Sequence, residues 1–324
     1  MSSTAIILAA GRSTRMKSRR PKVLHEACGK PMLQYVLDAC YDAGCSKAIV
    51  VIGHGKEQVM AQFVNDDRIE WVEQTEQLGT GHAVRVCENE LIKQSKTHPK
   101  GDVFILAGDG PLVRADNLRA LRQAHKQDHA AASLATAIVD DPAGYGRVVR
   151  TAAGDFQAIV EQLDATDAQR AIREINVSLY CARVDELLFA LARLKNDNKK
   201  GEYYLTDVFG ILREAGKTVT AVQAVAADDV LSVNSREQLA QVDEILQDRI
   251  QRMHRENGVG INNGENVYIE AGATIGPDTV IHPFSFIGCD ASVGAECVIG
   301  PFAVVPRNTV VPEGTTVVGN MRQE

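Results

Sequence analysis

Aliphatic residues recur every six positions through the C-terminal part of the chain, without a break: Ile269, Ile275, Ile281, Ile287, Val293, Ile299, Val305, Val311 and Val317. Two residues before each stands a small or short side chain, as at Ala273, Thr279, Ser285, Ala291, Cys297 and Ala303. Gly or Pro follows the aliphatic position in six of the nine hexads, which suits a chain that must turn a corner there. A hexapeptide period marks a parallel β-helix, in which each aliphatic points into a shared core. With one hexad per side of a triangular coil, nine hexads make three coils. A stack that short has exposed ends and an apolar flank, which favours oligomerisation.

The rest of the chain has another rhythm. Ala5–Leu8, Ala48–Ile52, Ile69–Val72, Val103–Ala107 and Ser133–Val139 are Val- and Ile-rich runs flanked by turn residues, the pattern of strands. Helical spacing fills the gaps at Pro31–Asp42, His82–Gln94 and Ala115–Gln127. Such alternation predicts a doubly wound, mostly parallel α/β sheet of Rossmann-like type, whose ligands bind beyond the carboxyl ends of its strands. From Gly144 to Val225 the pattern is mixed, and a lid-like α+β extension over the active edge is expected there. Ser235-Arg-Glu-Gln238 has the form of a capping box. It opens a helix with the stripe Leu239, Val242, Ile245, Leu246, Ile250 and Met253. The division expected is 1–233 for the α/β domain, 234–260 for a linker helix and 261–324 for the hexads.

Composition narrows the function. The chain has 324 residues, and 35 Lys+Arg against 42 Asp+Glu give a formal charge of −7, which disfavours a nucleic-acid partner. No apolar run approaches the length of a membrane span, and the start of the chain lacks the layout of a signal peptide. Seven scattered cysteines without a C-x-x-C pair suit reduced thiols and a cytoplasmic protein. The eight histidines form no metal-ligand cluster in sequence.

Four segments carry chemistry. Ala5-Ile-Ile-Leu-Ala-Ala-Gly11 runs a strand into a small loop where backbone N–H groups can approach phosphate, with Arg12 and Arg15 beside it. Taken alone, this is equally an ordinary strand-to-helix turn. Pro21 precedes Lys22 and fixes the local backbone, so the ammonium can be held against the same site. The apolar run from Val103 ends in Ala107-Gly108-Asp109, which sets a carboxylate at the ligand edge; one carboxylate with substrate phosphates and water suits Mg²⁺. Gln74, ahead of Gln77-Leu-Gly-Thr-Gly-His82, offers the donor and acceptor that reading a pyrimidine edge requires.

In order and spacing these segments resemble the sugar-1-phosphate nucleotidyltransferases, and among them the N-acetylglucosamine-1-phosphate uridyltransferase half of a bacterial bifunctional uridyltransferase and acetyltransferase. The matching stretches continue through Asp141-Pro, Gly144-Tyr-Gly-Arg147, Ile159-Val-Glu161, Asp164-Ala-Thr166, Glu174-Ile-Asn176, Gly201-Glu-Tyr-Tyr204, Thr206-Asp207 and Val233-Asn234. The resemblance implies Mg²⁺-dependent uridylyl transfer from UTP to N-acetylglucosamine-1-phosphate. It implies that Leu8, Ala9, Ala10, Gly11, Gln74, Gly79 and Thr80 hold the uridine, with Ala107 and Gly108 also at the substrate. Arg15 and Lys22 would hold the triphosphate, Gly146, Glu161 and Asn176 the sugar, and Asp109 and Asn234 the metal. The catalytic set is then Lys22, Arg15 and Asp109. His25, His54 and His82 are expected to be structural, because an anionic phosphate oxygen needs no general base.

Four positions depart from the family's usual pattern: Ser13 replaces a second loop glycine, Gly110 a valine after Asp109, Leu163 a lysine, and Val177-Ser178 a Thr-Gly pair. Three of the four lie near the acceptor side or the metal strand. The hexads end without the family's acetyltransferase motifs, and no acetyl transfer is expected. The alternatives are nucleotidyl transfer to another sugar phosphate or from another nucleotide, and a non-catalytic sugar-nucleotide-binding or assembly subunit.

Overall fold

A computed structural model describes residues 3–11, 14–97 and 101–319. It divides into two units, the first being residues 1–24 with 33–232 and the second residues 25–32 with 233–324.

The first unit opens with β1 (Ser3–Leu8). A short hairpin of β2 (Glu26–Ala27) and β3 (Lys30–Pro31), which belongs to the second unit, precedes α1 (Met32–Asp42). Then come β4 (Cys45–Ile52), α2 (Lys56–Gln62), β5 (Ile69–Glu73), α3 (Thr80–Arg85), α4 (Glu88–Thr97), β6 (Asp102–Ala107), α5 (Ala115–Gln127) and β7 (Ala132–Ile138). Beyond these lie β8 (Arg147–Arg150), β9 (Phe156–Val160), α6 (Asp167–Arg170), β10 (Glu174–Arg183), α7 (Val184–Leu191), α8 (Asp207–Glu214) and β11 (Val219–Gln223).

The main path of the sheet runs β11-β7-β10-β6-β1-β4-β5. β1 pairs in parallel with β4 on one side and β6 on the other. Its residues are buried on both faces: Ala5 and Ile7 join the core against α1 and α5, while Ile6 joins the core against α3, α4, α7 and α8. That two-sided burial is why the run reads as continuously apolar. The chain winds outward from β1 to β5 and returns to β6, so the loops after β1 and β6 diverge at a topological switch point.

The mixed segment is not a separate lid. β10 inserts antiparallel between β6 and β7, and β11 adds in parallel beside β7. Only β8 and β9 extend away, as a hairpin off the start of β10. The helix expected over His82–Gln94 is two helices, α3 and α4. Ala83, Val84, Cys87 and Leu91 all face one core across the break, so the apolar period runs through it.

In the second unit, α9 (Arg236–Glu256) starts at Ser235, whose hydroxyl accepts from Gln238 N–H at 3.2 Å. The Gln238 side chain reaches back to the N–H of Asn234 at 2.8 Å, one residue earlier than a standard capping box. The hexads form a parallel β-helix of three sheets. Strands pair in register eighteen residues apart, as in Val280 with Val298 and Phe286 with Val304. All nine periodic aliphatics are buried. Left-handed backbone recurs at Asp278, Phe284, Asp290, Glu296, Phe302 and Asn308, one per corner.

The expected apolar stripe of α9 holds at Val242 and Leu246, but Met253 is 45% exposed. Glutamines occupy the buried face instead. Gln247 donates to the Ile269 carbonyl at 2.6 Å and accepts from its N–H at 3.1 Å, while Gln251 donates to the Gly264 and Val267 carbonyls at 2.9 Å. The strand Val267–Ile269 begins its sheet, and the glutamine amides satisfy backbone groups that no further strand reaches.

Candidate active site

The carboxyl edge of the first unit's sheet holds a cavity of about 480 Å³. Strand order distributes its walls. Gln74 follows β5, Ala9 to Gly11 follow β1, Asp109 follows β6, and Asn176 lies near the start of antiparallel β10. Along that edge the Asp109 carboxylate therefore stands between the Gln74 side and the Asn176 side.

The loop after β1 is fixed by its backbone. Ala9 N–H continues the ladder to Val51 O at 2.8 Å, and Gly108 N–H donates to Leu8 O at 2.9 Å. A Cβ on Gly108 would stand 3.1 Å from that oxygen, so the absence of a side chain lets the two loops close together. Gln77, to which the sequence assigns no role of its own, donates to the Ala10 carbonyl at 2.7 Å.

Gln74 is buried, with Nε2 3.2 Å from the Gly79 carbonyl and 3.1 Å from His82 Nδ1. The His82 contact helps to fix the orientation of the Gln74 amide. Gly79 adopts φ 108°, and a Cβ there would meet the Tyr203 carbonyl at 2.6 Å. Thr80 accepts from Leu205 N–H at 3.1 Å, tying the start of α3 to the chain before α8.

Lys22 Nζ donates to a carboxylate oxygen of Asp109, and the two side chains are 14% and 18% exposed. On the other side, Glu161 accepts from the Thr206 hydroxyl at 3.1 Å. Burial raises its carboxyl above the ordinary range, against lowering by that hydrogen bond and by Lys200. Asp207 is pushed up to about 6 by burial and by the carboxylates of Glu161, Asp197 and Asp164. Asn176 donates from Nδ2 to the Tyr180 hydroxyl at 2.7 Å. Leu163 is 53% exposed, and Lys199 supplies a cation beside it, with Nζ 2.5 Å from the Leu163 carbonyl and 3.9 Å from Asp164.

The structure brings Leu8, Ala9, Ala10, Gly11, Lys22, Gln74, Gly79, Thr80, Ala107, Asp109, Gly146, Glu161 and Asn176 to one cavity. Gly108 does not line it and packs against Leu8, Ile7 and Ala9. Arg15 is exposed in the short helix Thr14–Met16 and does not line it; Arg12 and Ser13 lie outside the described residues. Asn234 belongs to the second unit. Tyr145, Tyr180, Ser178 and Thr206 also line the cavity. Tyr145 and Thr206 fall inside the resembling stretches, whereas Tyr180 sits in a run that looks purely like core. Among the described residues one mixed group of potential ligands occurs elsewhere, Asp102, His125 and Cys181. Ser133 at 2.8 Å and Asp102 at 3.5 Å face the two nitrogens of His125, which accounts for it as a buried polar network.

Residues 5–199 match the MobA-like NTP transferase domain, and residues 272–307 match six bacterial transferase hexapeptide repeats. The chain belongs to the MobA-like NTP transferase family. It is 46% identical to a bifunctional protein GlmU of Brevibacillus brevis over 283 residues, and 45% identical to one of Heliobacterium modesticaldum over 284 residues. These alignments take in 87% and 88% of this chain, which spans 60% of the length of each relative. A solved UDP-glucose pyrophosphorylase in complex with UDP-glucose shares the fold at 15% identity, with a TM-score of 0.60 over 77% of this chain and all of that one. The expected fold class stands: a Rossmann-like nucleotidyltransferase sheet followed by a left-handed parallel β-helix.

Proposed function

We propose that this member of the NTP transferase family moves a uridylyl group from UTP to N-acetylglucosamine-1-phosphate and releases pyrophosphate. One observation carries the reading. The Lys22–Asp109 pair lies on the sheet edge with Gln74 and the Gly-containing loop to one side, and Glu161 and Asn176 to the other. That is the order in which a nucleobase, a reacting phosphate and a sugar must be laid out. Membership of the NTP transferase family and similarity to GlmU proteins of two bacteria support nucleotidyl transfer.

The residues act by placement and charge. The acceptor's phosphate oxygen attacks the α-phosphorus, and the bond to the departing pyrophosphate breaks. Both reactants are anions, so neutralisation and alignment dominate the barrier. Gln74, its Nε2 held by Gly79 and His82, presents its amide oxygen to the uracil edge. Lys22 exchanges part of its bond to Asp109 for the triphosphate. Glu161 and Asn176 hold the sugar so that its phosphate faces the nucleotide.

Asp109, which offers a hard carboxylate oxygen at the ligand edge, is the residue proposed to hold Mg²⁺. When bound, the ion would neutralise phosphate charge. Arg15, outside the cavity wall, is proposed only as a flanking cation that attracts the triphosphate.

The β-helix is proposed to assemble the protein, as a trimer. Phe284 and Phe302 are 57% and 66% exposed and stack at 5.1 Å, which supports an interface. Among the described residues no helix is long and apolar enough to cross a membrane. Six buried and one half-buried free cysteine support the cytoplasm as the compartment.

The test is direct. Protein incubated with Mg²⁺, UTP and N-acetylglucosamine-1-phosphate should release pyrophosphate and form the nucleotide sugar. Silence toward every sugar phosphate and nucleotide offered would favour the non-catalytic alternative.

A further inference from the structure

Among the described residues lining the cavity, Ser178 is the one non-glycine residue with left-handed backbone, at φ 55°. It sits in a break of the β10–β7 ladder. Asn176 pairs with Thr136 and Tyr180 with Leu134, so residues 177 to 179 stand against residue 135 alone. A bulge of this kind re-aims side chains next to a site.

The neighbours of Ser178 show what is being aimed. Its N–H donates to Asn176 Oδ1 at 3.3 Å, while Asn176 Nδ2 donates to the Tyr180 hydroxyl at 2.7 Å. That phenol is itself buried. The bulge thus fixes both ends of the Asn176 amide and adds a Cβ and a hydroxyl to the cavity wall beside it. A glycine would adopt this backbone without strain and leave that space open. Strain at a ligand-facing position points to a role for the side chain that causes it.

We propose that Ser178 is a specificity-determining residue for the sugar phosphate. It limits the size of the substituent that can stand against Asn176 to about that of an acetamido group, and it sets the face of the Asn176 amide that reads this substituent. This rests on the reaction proposed above and adds to it the residue that selects the acceptor.

The experiment compares kcat/KM for N-acetyl-, N-propionyl- and unsubstituted glucosamine-1-phosphate, with UTP, in wild type, Ser178→Gly and Ser178→Ala. Ser178→Gly should raise the propionyl-to-acetyl ratio about tenfold, the size of a one-methylene discrimination, with the KM for UTP within about twofold of wild type. Ser178→Ala keeps the Cβ and should keep most of the discrimination. Relief of strain should also raise the Tm of Ser178→Gly by about a few degrees, which a purely structural role would give without any change of ratio. An active wild type whose ratio is unchanged within twofold in Ser178→Gly overturns the inference alone. A wild type silent toward all three sugar phosphates overturns the proposed reaction, and this inference with it.

Discussion

Lys22 and Asp109 form an ion pair across the switch point of the sheet, eighty-seven residues apart in sequence and partly buried together. In the reaction proposed above, a triphosphate and its counter-ion would compete for the two members of this pair.

Lys22→Gln removes the cation and leaves a side chain of similar length. Turnover should fall by about 10². The melting temperature should fall by about a few degrees, because the largely buried Asp109 carboxylate loses its partner. Steady-state pyrophosphate release and a thermal melt check the two halves.

Glu161 gives a pH signature on the sugar side only. Burial raises its carboxyl pKa, so on acidification it becomes neutral earlier than an ordinary glutamate. The KM for the sugar phosphate should rise on that limb while the KM for UTP does not, and Glu161→Gln should flatten the limb. Stability has the corresponding sign. The folded state binds this proton more tightly than the unfolded chain, so the group's contribution is most favourable below the unfolded pKa and is lost as pH rises through the folded one. Glu161→Gln should therefore be stabilising at pH 8 relative to wild type, with the gain shrinking toward pH 4, as seen in denaturant melts.

The hexads are legible in the sequence because a period of six leaves no second interpretation once nine aliphatics obey it. The parallel core of the sheet is legible for a related reason, since burial on both faces makes β1 and β6 uniformly apolar. The helix α2 is not, because its Lys-Glu-Gln-Val-Met-Ala-Gln sequence buries a single residue, Val59. The antiparallel insertion of β10 escapes because direction leaves no mark on composition. In the site, motif order locates the loop after β1, Gln74, Asp109 and Glu161. Ser178 stands out only as a difference from a family pattern, since nothing in Val177-Ser178 announces a left-handed residue. The polar face of α9 is hidden because Gln247 and Gln251 look solvent-facing until the open strand edge they cover is seen.

That edge makes a stability prediction. Gln247→Ala leaves the N–H and carbonyl of Ile269 without their side-chain partners and should cost about 1–3 kcal/mol. Met253→Ala, on the exposed side of the same helix, should lie within about 0.5 kcal/mol of wild type. Urea unfolding of the two variants separates these outcomes.

Replacing the stacked, exposed aromatics by Phe284→Glu with Phe302→Glu should lower the oligomeric state, since charges would meet across a contact that is now apolar. Light scattering on the intact chain reads the mass. A mass unchanged from wild type would move the assembly surface elsewhere on the coil.

The most direct test of the reacting centre is uridylyl transfer by Asp109→Ala at saturating Mg²⁺, UTP and N-acetylglucosamine-1-phosphate. Loss of about three orders of magnitude in kcat with an unaltered melting temperature is the predicted result, because a charge at the ligand edge is removed and no core group is. Turnover within tenfold of wild type would contradict it.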